Sequence, residues 1–298
     1  MFRAFYVSTT NTKILTANSV VMVLTNVVLN YILIFGKFGF PALGIAGAAI
    51  ASSISEAVSV MFFVIYTWKK VDYKKYGLFR FTRVDFRMLG QILSVSIWVM
   101  IQHGIAFGGW FIFFIAMEHL GERPLAITNV VRSISSFLFM FVNAFASTNS
   151  SLVSNLIGAG ESDRVLPLSR RMIGLCYAFV LPIGILIAMF PSTVLRIYTD
   201  NPDLIASSIP SLWVMLSSYL FAVPGFIYFF SVSGTGNTRR ALEIDMASIF
   251  VYVLYILYVA VWLRADVAVC WTTEYVYNIM ILSSFFYLWK GNWRNKKI

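Results

Sequence analysis

Long apolar stretches alternate with short polar segments along the whole chain. Each stretch is long enough for one helix to cross the hydrocarbon core of a bilayer, which is about 30 Å thick and takes roughly 20 residues. The stretches lack the strict two-residue alternation of a membrane β-barrel strand. The pattern therefore predicts an all-α membrane protein with about eight transmembrane helices, over residues 14–35, 44–68, 88–117, 126–157, 172–190, 210–232, 242–263 and 267–289.

Composition supports a membrane protein and excludes an ordinary soluble one. Of the 298 residues, 59% are hydrophobic and 12% are charged, whereas soluble chains carry about 25% charged residues. The two cysteines, Cys176 and Cys270, both lie inside apolar stretches, so they indicate no disulfide framework. The net charge of +10 resides between the stretches rather than in one contiguous stripe, which argues against nucleic-acid binding.

The basic residues predict how the chain is oriented in the membrane. If the eight helices alternate in direction, eighteen of the 23 Lys and Arg residues fall on one side, and Arg132 lies inside a span. The other side receives Lys37, Arg123, Arg196 and Arg264. Because cytoplasmic loops carry an excess of Lys and Arg, we expect a multi-pass protein of the cell (inner) membrane with its carboxyl terminus in the cytoplasm.

The charge pattern and a short repeat together predict the domain organisation. Residues 69–87 form a long, strongly basic interval, which is expected to be a cytoplasmic linker between two bundles. The segment 9–13 (TTNTK) resembles 235–239 (TGNTR), and each copy precedes two apolar spans. The second copy follows four further spans, so the repeat predicts a plan of two six-helix units in parallel orientation.

Four segments resemble one known family of membrane proteins. Residues 26–36 read NVVLNYILIFG, residues 44–49 read GIAGAA, residues 151–160 read SLVSNLIGAG and residues 233–239 read SGTGNTR. In this order and spacing they are similar to the fifth and sixth helices, the end of the eighth helix and the loop after the tenth helix of the multidrug and toxic compound extrusion (MATE) family of transporters.

The resemblance implies twelve helices in two six-helix lobes. Residues 1–68 would then hold the last two helices of the N-terminal lobe, 69–87 the inter-lobe linker, and 88–298 the complete C-terminal lobe and cytoplasmic tail. On this expectation four helices are missing before residue 1, and they are needed for a complete transporter.

The resemblance also implies a function. It predicts a secondary antiporter that exports organic or drug-like compounds by alternating access, coupled to protons or sodium. The expected partners are a small organic substrate and the lipid bilayer, with no nucleic acid and no cofactor beyond the coupling ion. A flippase for a lipid-linked saccharide or cell-wall precursor is the alternative. Such a flippase is expected to have a strongly cationic cavity for pyrophosphate, whereas Arg132 is the only Lys or Arg within a predicted span.

The chain departs from the family pattern at the positions that bind the coupling cation. The family uses an Asn-x-x-x-Asp pair on its fifth helix, and this chain has Asn26 and Asn30 there. One branch uses acidic residues on the seventh and tenth helices, and the corresponding spans 88–117 and 210–232 contain none. The identity of the coupling ion is therefore left open.

Ionisable and amide residues within spans are costly and are treated as candidates for function. Glu56 lies near the middle of its span, and Glu56, Asn26 and Asn30 are the cation-coupling candidates. The substrate-cavity candidates are Gln102, His103, Asn129 and Asn143.

Two opposite charges in the second lobe are predicted to form an ion pair. Arg132 and Glu274 each lie six or seven residues inside the outer end of a span, which places both roughly 9–11 Å deep at 1.5 Å per residue. Asp245 is close to Arg239 and Arg240 at the predicted cytoplasmic interface, and a structural role is expected for it.

The sequence contains no enzyme signature and no metal-site spacing. Motifs of the HExxH type and glycine-rich phosphate loops followed by lysine are absent from it. We therefore predict that the protein is not an enzyme and holds no metal.

Overall fold

A computed structural model of the chain describes residues 12–71 and 85–291, together with Phe2, Phe5, Tyr6 and Trp293. In these residues seven helices are long and apolar enough to cross a membrane. They are α1 Thr12–Phe35, α2 Gly44–Lys70, α3 Phe86–Leu120, α4 Glu122–Gly158, α5 Val165–Met189, α7 Pro202–Gly234 and α8 Thr238–Ile256, which continues as a π-helix over Leu257–Trp262. A short 3-10 turn, Ser162–Arg164, precedes α5, and the short helix α6, Pro191–Leu195, follows it. The predicted all-α fold is confirmed.

The eighth predicted span is interrupted. Residues 267–289 were expected to form one helix, but the structure divides this run into α9 Val267–Trp271, α10 Thr273–Ile281 and α11 Ser284–Lys290. The joints are tightened turns: the Tyr275 amide donates to the Thr272 carbonyl, and the Ser283 amide donates to the Met280 carbonyl, both three residues back. Thr272, Leu282 and Ser283 have ψ values between −15° and −20°, which is near 3-10 geometry. The bonds from Val276 to Thr272 and from Leu282 to Asn278 keep the α-helical pattern beside these turns, so the helix tightens locally and keeps its direction.

The chain divides into two compact units, residues 1–84 and 85–298. In the first unit, α1 and α2 form an antiparallel hairpin, joined by a bond from the Asn18 amide to the Ser59 hydroxyl at 2.8 Å. Gly47 permits this close contact, because a Cβ there would lie 2.6 Å from the carbonyl oxygen of Leu33. Residues 72–84 of the predicted linker and residues 9–11 of the first repeat copy lie outside the described residues. The assignment of lobes stays a prediction.

In the second unit, α4 packs along α7, α3 packs against α8, and α10 packs against both α7 and α8. Val131, Leu138 and Val142 recur at helical spacing along α4 and are fully buried. At the crossing of α4 and α7, a Cβ on Gly234 would lie 2.6 Å from the Ser150 carbonyl oxygen, so the two backbones nearly touch. This packing fixes the directions in which α3, α4, α7, α8 and α10 point their polar side chains.

A buried polar cluster crosses the same core. Asn149 on α4 donates to the Ser231 hydroxyl on α7 at 2.6 Å, and Ser231 shares a 2.9 Å bond with Ser169 on α5. All three side chains are fully buried. Hydrogen bonds of this kind join helices in a membrane, where apolar contact alone gives little preference for one packing.

Large apolar side chains cover much of the outside of both units. Ile45, Phe86 and Phe107 are each more than three-quarters exposed. A soluble protein would be destabilised by such a surface, whereas hydrocarbon solvates it without cost. The apolar helices and their apolar exterior describe a multi-pass membrane protein.

Candidate functional site

A cavity of about 590 Å³ lies inside the second unit, between α3, α4, α7, α8 and α10. Aromatic rings form much of its wall, and polar groups project into it from opposite sides. The residues that define its chemistry are Gln102, His103, Trp110, Arg132, Ser135, Asn143, Tyr219, Phe226, Phe230, Asp245, Tyr252, Glu274, Tyr277 and Asn278. The volume is that of a site for a drug-sized organic molecule.

Asp245 of α8 provides one acidic group of the cavity. Its side chain is 2% exposed, and one carboxylate oxygen accepts a 3.0 Å hydrogen bond from the Tyr277 hydroxyl. Gln102 of α3 interacts with the same carboxylate. Three helices therefore position this acid, which lies within the second unit and not at its surface.

Glu274 of α10 provides the second acidic group. It interacts electrostatically with Arg132, Tyr219, Tyr252 and Tyr277. The rings of Tyr252 and Tyr277 stand edge to face, with centroids 5.9 Å apart. This tyrosine pair lies among the groups that surround both acids, so Asp245 and Glu274 belong to one connected polar wall.

Arg132 faces this wall from α4, but the predicted direct ion pair with Glu274 is not formed. The guanidinium carbon lies 4.3 Å from the ring centroid of Trp110 and 4.3 Å from that of Phe114. These two rings lie one turn apart on α3 and hold the guanidinium by cation–π contact. The ion pairs shorter than 4.0 Å among the described residues join Glu161 to Arg164, and Glu243 to Arg239 and Arg240.

Three of the four predicted cavity residues line the cavity. Gln102, His103 and Asn143 do so, and the buried Gln102 faces Asp245. Asn129 does not: it lies nearly one turn before Arg132 on α4, and its side chain is exposed. Their role in substrate binding is untested and stays a prediction.

The predicted coupling residues in the first unit do not form a single cluster. Asn26 accepts a 2.8 Å bond from Asn30 and donates to the Ser52 hydroxyl at 3.4 Å. Glu56 is exposed on α2, and it makes no hydrogen bond to the asparagine pair in the described part of the chain. The expected grouping of a carboxylate with two amide oxygens is therefore absent here, and a coupling role for Glu56 stays a prediction.

Sequence reasoning missed the acidic wall of the cavity. The sequence predicts that Asp245 lies beside Arg239 and Arg240 at the cytoplasmic interface, but both arginines pair with Glu243. A signal was present, since Asp245 and Tyr252 are seven residues apart and so share one face of an apolar helix. Which helix that face meets was not readable from the pattern.

Two buried polar atoms in the cavity wall lack a protein partner. The side-chain oxygen of Asn278 and the hydroxyl of Tyr252 make no hydrogen bond within the described residues. Both side chains are more than nine-tenths buried. Buried polar groups are rarely left unpaired, so these atoms are suited to bind a cation, a water or a polar group of a bound molecule.

Taken together, the fold and the cavity define a class: a multi-pass helical membrane protein with an acidic, aromatic-walled cavity inside one bundle. The sequence identifies the family within that class. The family model MatE matches residues 100–261, which is more than half of the chain. The chain belongs to the MatE family, and the resemblance noted from its segments is confirmed.

Curated relatives carry transporter names. The chain is 28% identical over 239 residues to the probable multidrug resistance protein NorM of Thermotoga maritima, covering 79% of this chain and 50% of that protein. It is 30% identical to the NorM protein of Bacillus cereus, covering 59% of this chain and 39% of that protein. The chain thus spans about half the length of the curated relatives it matches. Membership of this transporter family agrees with the prediction that the chain is not an enzyme.

Solved structures of the family share the fold. The Vibrio cholerae MATE transporter VcmN, in a mutant form, superimposes with a TM-score of 0.81 at 17% identity, covering 99% of this chain and 67% of that one. At this identity the likeness establishes the helical architecture alone.

Proposed function

We propose that the protein exports organic, drug-like compounds by secondary antiport, with alternating access driven by a proton or sodium gradient. The observation that carries the proposal is the cavity of about 590 Å³, with aromatic walls and the carboxylates Asp245 and Glu274. The names of the NorM relatives, which are probable multidrug resistance proteins, support the same substrate class.

The chemistry of the cavity favours compounds that carry positive charge. Aromatic faces such as those of Phe226 and Phe230 attract flat apolar rings and cations, and two carboxylates oppose the single guanidinium of Arg132. A compound with an aromatic body and one amine therefore packs its rings against the walls and pairs its positive charge with the uncompensated acid.

The same acids provide a reason for antiport. A carboxylate buried in a membrane protein is costly while it is charged and uncompensated. Binding of one cation at a time to Asp245 is therefore favourable. A proton or sodium ion and a cationic substrate then compete for it, and entry of one promotes release of the other. We propose Asp245 and Glu274 as the coupling groups in preference to Glu56, because the two acids line a cavity and Glu56 is exposed on α2.

The alternative of a flippase for a lipid-linked saccharide fits the cavity less well. A pyrophosphate group needs several cationic or donor side chains around it, and Arg132 and His103 are the basic residues among those that line the cavity. Two acids in the same wall would repel the phosphates.

The proposal is tested by dye export from bacteria that lack their own drug pumps. The 298-residue chain is expressed alone and also fused behind the first four helices of the Thermotoga maritima relative, at matched membrane levels. We expect export of a cationic dye in at least one form, with collapse of the proton or sodium gradient abolishing it. Absence of export in both forms, with both in the membrane, contradicts the proposal, and export by the chain alone refutes the need for further helices.

A further inference from the structure

Arg132 stands between two sites that can each hold its guanidinium. On one side are the rings of Trp110 and Phe114, where the group lies in the structure. Trp110 and Arg132 also line the main cavity, together with Glu274. Arg132 also lines an open groove along α3 with Phe107 and Phe111.

The rings and the carboxylate offer the guanidinium two different kinds of partner. A charged carboxylate is the stronger partner, since an uncompensated acid within a membrane is far more costly than a paired one. A guanidinium on an aromatic face loses less hydration free energy than a lysine ammonium would, because the guanidinium is planar and weakly hydrated. The preferred position of Arg132 therefore depends on whether Glu274 already has a positive partner.

From this geometry we infer that Arg132 is a tethered counter-cation of Glu274, which it pairs with when Glu274 is empty and charged. When a proton, a sodium ion or a cationic substrate occupies Glu274, Arg132 withdraws to Trp110 and Phe114, the position in this structure. The inference deepens the proposed function, on which its role in transport rests, but the switch itself is testable without transport.

The surroundings of Glu274 define what else contributes to its charge state. The ionisable groups that interact with it are Arg132 on α4, Tyr219 on α7, Tyr252 on α8 and Tyr277 on α10. His103 on α3 and Asp245 on α8 line the same cavity. Of these groups Arg132 carries the positive charge that competes with an external cation.

The experiment measures how readily Glu274 reacts with a hydrophobic carbodiimide, a reagent that modifies protonated carboxyl groups in apolar surroundings. The purified full chain is labelled at neutral pH, and the modified peptides are quantified by mass spectrometry. Substitution of the rings (Trp110→Leu with Phe114→Leu) removes the resting position, so Arg132 moves to Glu274 and keeps it charged. We expect labelling of Glu274 to fall several-fold.

Three controls separate the switch from a general disturbance. Ile115→Leu changes an exposed position of α3 that lines neither the cavity nor the groove, and it should leave labelling unchanged. Labelling of Asp245, in the same cavity, reports whether the reagent still enters. In an Arg132→Gln background the two ring substitutions should have no effect on Glu274, because the group that they release is absent.

The last control decides the matter. A fall in Glu274 labelling of equal size with Gln at position 132 means that the rings act on packing alone, and overturns the inference. No fall in the chain that retains Arg132 overturns it as well. Because no gradient or substrate is involved, a failed export assay and a failed labelling assay remain distinguishable.

Discussion

At the scale of single residues, the cavity holds three charged side chains that the sequence places within spans, namely Arg132, Asp245 and Glu274. A charged side chain at the bilayer centre costs about 2.5–3.5 kcal/mol on insertion scales. Asp245 reduces this cost by accepting a hydrogen bond from Tyr277 and by interacting with Gln102. A neutral residue would avoid the cost altogether, so the presence of the acid points to a use for its charge.

Asp245 and Glu56 give opposite expectations when each acid is made neutral. We expect Asp245→Asn to abolish gradient-driven dye export while membrane insertion is kept, because the competing cations lose their shared site. The matched change Glu56→Gln should keep at least half of the export rate, because that side chain lies outside the cavity. Export is measured in vesicles with an imposed gradient. Loss of export in Glu56→Gln, with export kept in Asp245→Asn, would place the coupling site on α2.

The same residues explain why the site was only partly predictable. Gln102, His103 and Asn143 were recognised because polar residues within apolar spans stand out in any sequence. The cation–π contact of Arg132 was not, although Trp110 and Phe114 are spaced four apart as neighbours on a helix must be. A single sequence does not tell which helices are adjacent, and the ion pair with Glu274 was inferred from depth alone.

At the scale of helices, hydrophobic length located the elements well. The predicted span 44–68 is observed as Gly44–Lys70, and 126–157 is observed as Glu122–Gly158. The interruptions in the last span were missed because Thr272, Leu282 and Ser283 remain in helical dihedral space. Apolar length is a property of the whole run, whereas a tightened turn depends on a few backbone dihedral angles and on tertiary packing.

Close contact between α4 and α7 makes Gly234 a sensitive position. An added methyl group would lie 2.6 Å from the Ser150 carbonyl oxygen, so Gly234→Ala must push two helices apart at a cost of about 1–3 kcal/mol. Gly174→Ala on α5 is the matched control, because a Cβ there meets nothing within 4 Å. Thermal unfolding in detergent should show a lower Tm for the first variant and not for the second. Equal Tm values would mean that the crossing relaxes freely.

At the scale of the whole molecule, the distribution of basic residues predicts one orientation in the membrane, and this orientation stays a prediction. The basic residues between spans lie mostly on the side assigned to the cytoplasm. The second unit contains the cavity by itself, since every residue that lines it falls between positions 102 and 278. The orientation therefore decides which end of the cavity meets the cell interior.

Cysteine accessibility tests the orientation. The test uses a background in which the two natural cysteines, both buried, are replaced by alanine (Cys176→Ala and Cys270→Ala). A single cysteine at Glu122 or Asn201 should react with a membrane-impermeant maleimide in intact cells, because these positions are assigned to the outer side. A cysteine at Lys74 should react only after the cells are opened. The reverse pattern would invert the topology and place the linker outside.

The interrupted last span has a mechanical consequence for the protein. Its two tightened turns isolate the nine residues Thr273–Ile281, and this short rod carries Glu274, Tyr277 and Asn278. A helical segment that is bounded by a tightened turn at each end can shift as one body relative to the segments on either side. Glu274 lies on this segment, whereas Asp245 lies on α8. A small shift of the segment would therefore change the distance between the two acids, and with it the affinity of the cavity for a cation.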